Sequence, residues 1–130
     1  MRDHPEMAMT LRCEIFPADL DVIVDFYTRV LGFSVTKDQR GDQNAYVALR
    51  RGAVHIGAAQ QPLPAAPAER RPPIGVELVL EVDDVVAERD RIVAAGWPLE
   101  EDLQRRVWGL TDFRILDPAG YFLRITDRGP

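Results

Sequence analysis

The sequence predicts an α+β protein built from two β-α-β-β-β halves, and three features carry that expectation. An aspartate followed thirteen positions later by a glycine brackets each of two helical stretches, Asp19 to Gly32 and Asp83 to Gly96, and an aromatic, Phe33 or Trp97, follows each glycine. Around each stretch lie short apolar segments of strand character, one before and three after, which is how an internal duplication reads in sequence. Between the halves, the segment 60–73 holds five prolines, Pro62, Pro64, Pro67, Pro72 and Pro73, and so resists both helix and central strand.

Taken in order, residues 1–9 read as a loose tail. Leu11, Cys13 and Ile15 alternate with Arg12, Glu14 and Phe16, a strand that Pro17 ends. Asp19 is placed as an N-cap, and Leu20, Ile23, Val24, Tyr27, Val30 and Leu31 recur at helical spacing up to Gly32. Strands follow at Phe33–Thr36, Ala45–Leu49 and Val54–Ala58, with turns at Gly41-Asp42 and Arg51-Gly52. In the second half, Val76, Leu78, Leu80 and Val82 alternate with Glu77, Val79 and Glu81. Asp83 caps a helix that ends at Gly96, and strands are expected at Leu99–Leu103, Val107–Leu116 and Tyr121–Thr126. The last two are joined by Asp117-Pro118-Ala119-Gly120, in which proline presets one turn dihedral and glycine accepts a positive one. The expected organisation is a single domain over 1–130, with repeats at 10–59 and 74–127 joined by a stiff linker at 60–73.

Bulk properties exclude several functions. With 130 residues, 46% of them hydrophobic and 28% charged, the chain has the composition of one globular domain. A net charge of -5 without a basic stripe argues against nucleic-acid binding. The lone Cys13 cannot form an internal disulfide and fits a reducing cytoplasm. It shares its strand face with Leu11 and Ile15, so a buried structural thiol is expected rather than a nucleophile. Residues 1–9 contain Asp3 and Glu6 and no apolar core, so no signal peptide is expected, and no apolar run approaches a membrane span. A cytoplasmic protein with no membrane partner is the expectation.

The fragments Asp19-Leu20, Asp25-Phe26-Tyr27, Leu31-Gly32-Phe33, Glu81-Val82-Asp83-Asp84 and Asp117-Pro118-Ala119-Gly120-Tyr121, in this order and spacing, resemble the vicinal oxygen chelate superfamily of glyoxalases, bleomycin-resistance proteins and ring-cleaving dioxygenases. The resemblance covers residues 11–127. It implies that each half curls its mixed sheet around a concave groove and that the chain pairs into a homodimer. The enzymes of that superfamily place metal ligands on the first and last strand of each half, and by motif spacing these places fall on Arg12, Gly57, Glu77 and Arg124. A guanidinium has no lone pair to give and glycine has no side chain, so only Glu77 is a ligand type and no metal or other cofactor is expected. A displaced site from His55, Glu77 and either Glu14 or Glu81 stays open, as does simple hydrogen bonding by His55.

Given the implied groove, strand parity puts Arg12, Glu14 and Phe16, then Glu77, Val79 and Glu81, then Phe122 and Arg124 on its wall, with Tyr46 and His55 from the middle strands. Aromatics mixed with both signs of charge suit a flat, polar small molecule. Arg12, Glu77 and Arg124 are also placed to neutralise one another without any ligand. Trp108-Gly109 before the final hairpin, with Phe113-Arg114 and the turn after it, resembles the bleomycin-resistance branch, in which groove aromatics hold the flat part of the drug. The expected function is metal-free binding of an aromatic or peptide-like antibiotic. Two alternatives stand beside it: a glyoxalase- or dioxygenase-like enzyme using His55 and Glu77, and metal-free catalysis with Glu77 as general base.

Overall fold

The computed structural model describes residues 7–60 and 75–128, so the proline-rich linker, beyond Gln60, lies outside the described residues. The first half runs β1 (Cys13–Ile15), α1 (Leu20–Asp25), β2 (Ser34–Asp38), β3 (Tyr46–Arg51) and β4 (Val54–Ala59). The second runs β5 (Leu78–Glu81), α2 (Val85–Ala94), β6 (Glu101–Arg105), β7 (Thr111–Leu116) and β8 (Phe122–Thr126). Each half forms a four-stranded mixed sheet of the same topology, β1-β4-β3-β2 and β5-β8-β7-β6. The first and last strands of each half are parallel neighbours, with Glu14 opposite Gly57 in one sheet and Val79 opposite Arg124 in the other. The two β-α-β-β-β units expected from the aspartate-to-glycine spacing are therefore present.

Local chemistry explains the helix ends. The Asp19 carboxylate accepts from the backbone of Asp21 and Val22, and Gly32 and Gly96 close the helical stretches at φ 72° and 83°. Three details differ from the sequence expectation. The second helix is capped by Asp84, whose carboxylate accepts from Ala87, while Asp83 pairs with Arg128. The first helix widens into a π-helical turn over Phe26–Val30, where Leu31 N donates to Phe26 O. Phe26, Tyr27, Val30 and Leu31 are all buried along this turn. The strand expected to begin at Val107 begins instead at Thr111, because Arg106 and Leu110 close a turn around Trp108-Gly109.

In each sheet one face is apolar and covered. Ile15, Val47, Leu49, Ile56 and Ala58 lie under α1, and Phe113, Ile115, Leu123 and Ile125 pack toward α2, all in one continuous core. The halves meet through that core. Phe26 packs on Trp97 with ring centroids 4.7 Å apart, and the Trp97 indole donates to Leu116 O at 2.8 Å. The buried Tyr27 hydroxyl donates to Asp117 at 2.8 Å, and Arg51 at the end of β3 pairs with Glu88 of α2. Cys13 is partly buried at the margin of this core, and burial, then the nearby Glu14 and Asp117, raise its thiol pKa.

Candidate functional site

With the apolar faces turned inward, the opposite faces carry the groove residues predicted from parity. On the first sheet these are Glu14, Tyr46 and His55, with Gly57 on the same face, on neighbouring strands in register. The Tyr46 hydroxyl donates to Glu14 Oε2 at 3.0 Å, and Arg12 Nε lies 3.2 Å from the same oxygen. Burial, then the bond to Glu14, raises the Tyr46 pKa, so the phenol keeps the proton it donates. Gly57 is what permits this contact. A methyl group at that position would come within 1.7 Å of Glu14 Oε2 and 2.1 Å of the Tyr46 hydroxyl. His55 is exposed on this face, and its imidazole makes no hydrogen bond or ion pair with the described residues.

The second sheet carries a denser network. Glu77, just before β5, is held by Arg114 Nε at 3.0 Å and lies 3.1 Å from Arg124 Nε, which is out of line for a hydrogen bond. Arg114 also reaches Glu101 at 2.8 Å, and Arg106 joins Glu101 to Asp112. Asp112 is 0% exposed; one of its oxygens accepts from Arg106 while the other, Oδ2, has no hydrogen-bond partner and sits 3.7 Å from Arg124 Nη1. Hydrogen bonds to Asp112 and then Glu101 raise the Arg106 pKa, and the bond to Glu77 chiefly raises that of Arg114. Three guanidiniums thus face three carboxylates, and this network neutralises itself.

Of the residues predicted for the groove, the structure brings together Arg12, Glu14 and Tyr46 on one sheet and Glu77 and Arg124 on the other. Arg12 does not join Glu77 and Arg124; it lies just before β1 and pairs with Glu14, two residues further along the chain. Phe16, Glu81, Trp108 and Phe122 are exposed, and Trp108 sits on the β6–β7 turn at 58% exposure. A cavity of about 480 Å³ lies at the junction of the halves, between Phe33, Arg51 and Val54 on one side and Val79, Asp84 and Glu88 on the other; of the predicted groove residues, Val79 and Glu81 line it. The sequence expectation missed Glu101, Arg106, Asp112 and Arg114. The parity of Asp112 and Arg114 along β7 is the signal that could have placed them beside Arg124, with which Arg114 is in register.

The donor set does not fit a divalent ion at the places the enzymes use. Among the described residues no three His, Cys, Asp or Glu side chains converge. The last-strand places are a guanidinium, Arg124, and a glycine, Gly57, whose side-chain space is filled by Glu14 and Tyr46. Glu77, the remaining carboxylate, is already held by arginine.

A family model described as the Glyoxalase/Bleomycin resistance protein/Dioxygenase superfamily matches residues 10–125. The chain belongs to that superfamily. Solved structures sharing this superfamily's fold include TioX from Micromonospora sp. ML1, at 23% identity and a TM-score of 0.75, covering 92% of this chain and 98% of that one. Lactoylglutathione lyase from Agrobacterium tumefaciens is similar at 22% identity and a TM-score of 0.70, covering 95% and 96%. Virulence protein STM3117 from Salmonella typhimurium is similar at 23% identity and a TM-score of 0.70, covering 96% and 100%. No curated protein sequence matches the chain. Superfamily membership fixes the fold but not the chemistry, because one scaffold hosts many sites. No helix among the described residues is long and apolar enough to cross a membrane.

Proposed function

We propose that this superfamily member is a metal-free binding protein, of the bleomycin-resistance type, for a flat aromatic or peptide-like small molecule. The observation that carries the reading is Arg124. It stands where the superfamily's enzymes present a ligand and is held against Glu77, so a cation placed there would meet a guanidinium. The self-neutralised network also removes the need for a charged ligand group, which leaves recognition to the exposed aromatics Trp108, Phe122 and Phe16. The general-base role for Glu77 gains no support, since a base there would have to leave its two arginine partners to take a proton.

Metal content tests this most directly. Protein purified without chelator is expected to hold far less than one equivalent of zinc, nickel, manganese or iron by elemental analysis. One equivalent, lost on Glu77→Ala, would replace the binding reading with the metalloenzyme one.

The same reading makes the protein a homodimer with the open sheet faces turned toward the partner. Val79, Phe122 and Trp108 are apolar and at least 44% exposed on or beside the second sheet's open face, surface that a partner's matching face would cover. Light scattering at micromolar concentration is expected to give twice the chain mass, and a monomer would count against a shared groove.

A further inference from the structure

We infer that Arg106, a residue outside the predicted site, positions Trp108 for ligand; the inference rests on the proposed binding role of that tryptophan. Trp108 lies on a turn whose neighbours Val107 and Gly109 are exposed, so the surrounding chain offers the indole little packing. Arg106 supplies what the turn lacks. Its guanidinium carbon stands 6.0 Å from the indole centroid, within the distance of a cation–π contact.

The arginine is itself fixed from below. Nε and Nη2 lie 3.0 and 2.8 Å from one oxygen of the fully buried Asp112, and Nη2 also pairs with Glu101. These carboxylates belong to two different strands, β7 and β6, so the fork is held from two sides and its plane cannot swing freely. Its backbone donates to Leu110 O and accepts from Gly109 N, which closes the same turn that presents Trp108. A chain of contacts thus runs from the buried sheet through Asp112 and Arg106 to the indole. Arg106 covers one indole face and leaves the other for a flat ligand, already ordered before binding. Such ordering removes part of the entropy cost of immobilising a side chain on association.

The test uses the Trp97→Phe protein, so that Trp108 is the remaining tryptophan. Fluorescence anisotropy and acrylamide quenching of Trp108 are measured with no ligand present, and metal-free bleomycin is then titrated. Arg106→Ala is expected to lower the anisotropy, raise the quenching constant and weaken bleomycin binding about three- to tenfold. Should that variant fail to fold because Asp112 is left unpaired, Arg106→Ala combined with Asp112→Asn removes both charges and gives the same readout. Arg106→Lys keeps the charge but not the fork, and is expected to recover part of the anisotropy. A merely structural arginine would shift the melting temperature while leaving Trp108 in the folded protein unchanged; that result overturns the positioning role. If bleomycin fails to bind the parent protein while Arg106→Ala still loosens the indole, the positioning role stands and the proposed ligand falls.

Discussion

Asp117→Ala is expected to cost about 2–4 kcal/mol of stability, a large share of what a domain of this size has. The Asp117 side chain is 3% exposed, yet it makes three hydrogen bonds: one oxygen accepts from Ala119 N and Tyr121 N, both at 2.9 Å, and the other from the Tyr27 hydroxyl. The first pair holds the β7–β8 turn, and the third ties the π-helical turn of the first half to the second half. Alanine would remove all three and strand a buried phenol without a partner. Tyr27→Phe is expected to cost less, because two backbone bonds to the carboxylate survive. Asp117→Asn is expected to cost least, since the amide can donate to a rotated Tyr27 hydroxyl while its oxygen keeps the turn. Chemical denaturation of the three variants checks the order, and a milder effect for alanine than for asparagine would refute it.

The same residue carries a pH signature. Burial, opposed by its backbone and Tyr27 hydrogen bonds, raises the Asp117 pKa above the ordinary carboxylate value. A raised acid binds its proton more tightly in the folded state. Its stabilising contribution is therefore complete below the unfolded pKa and is lost as pH rises through the folded one. Wild-type protein should be most stable relative to Asp117→Asn in acid and should lose ground as pH rises above the ordinary carboxylate range. A difference that grew with pH would contradict burial as the dominant influence.

The second large effect separates the two tryptophans. Trp97→Ala is expected to cost about 3 kcal/mol, the low end for losing a large aromatic from a core, because Trp97 is half-buried but packs on the fully buried Phe26 and donates to Leu116 O. Ligand affinity of the folded fraction should be unchanged. Trp108→Ala should do the reverse: little change in melting temperature, and binding of metal-free bleomycin weaker by about 1–3 kcal/mol, as for an aromatic hot spot. Quenching of tryptophan fluorescence on titration should vanish with Trp108 and persist without Trp97. The opposite pattern would move the ligand away from the β6–β7 turn.

Much of this was legible in the chain because it depends on local chemistry. The aspartate-to-glycine spacing marks helix starts and stops through capping and positive φ, effects that act within one turn, and strand parity assigns faces because successive side chains alternate. Those two rules gave the β-α-β-β-β units, the buried Ile15, and the open face holding Glu14, Tyr46 and Arg124. Tertiary structure decided everything that depends on which side chain reaches which. Glu77 lies 37 residues from Arg114 in sequence, and Asp117 lies 90 from Tyr27. No local pattern pairs residues that far apart, since sheet register and helix packing set those distances only after the chain has closed. For the same reason the sequence put Arg12 beside Glu77, whereas the fold puts it beside Glu14. It also left Arg106 unremarked, because an arginine beside a tryptophan gains meaning only when a buried aspartate from the next strand fixes its plane.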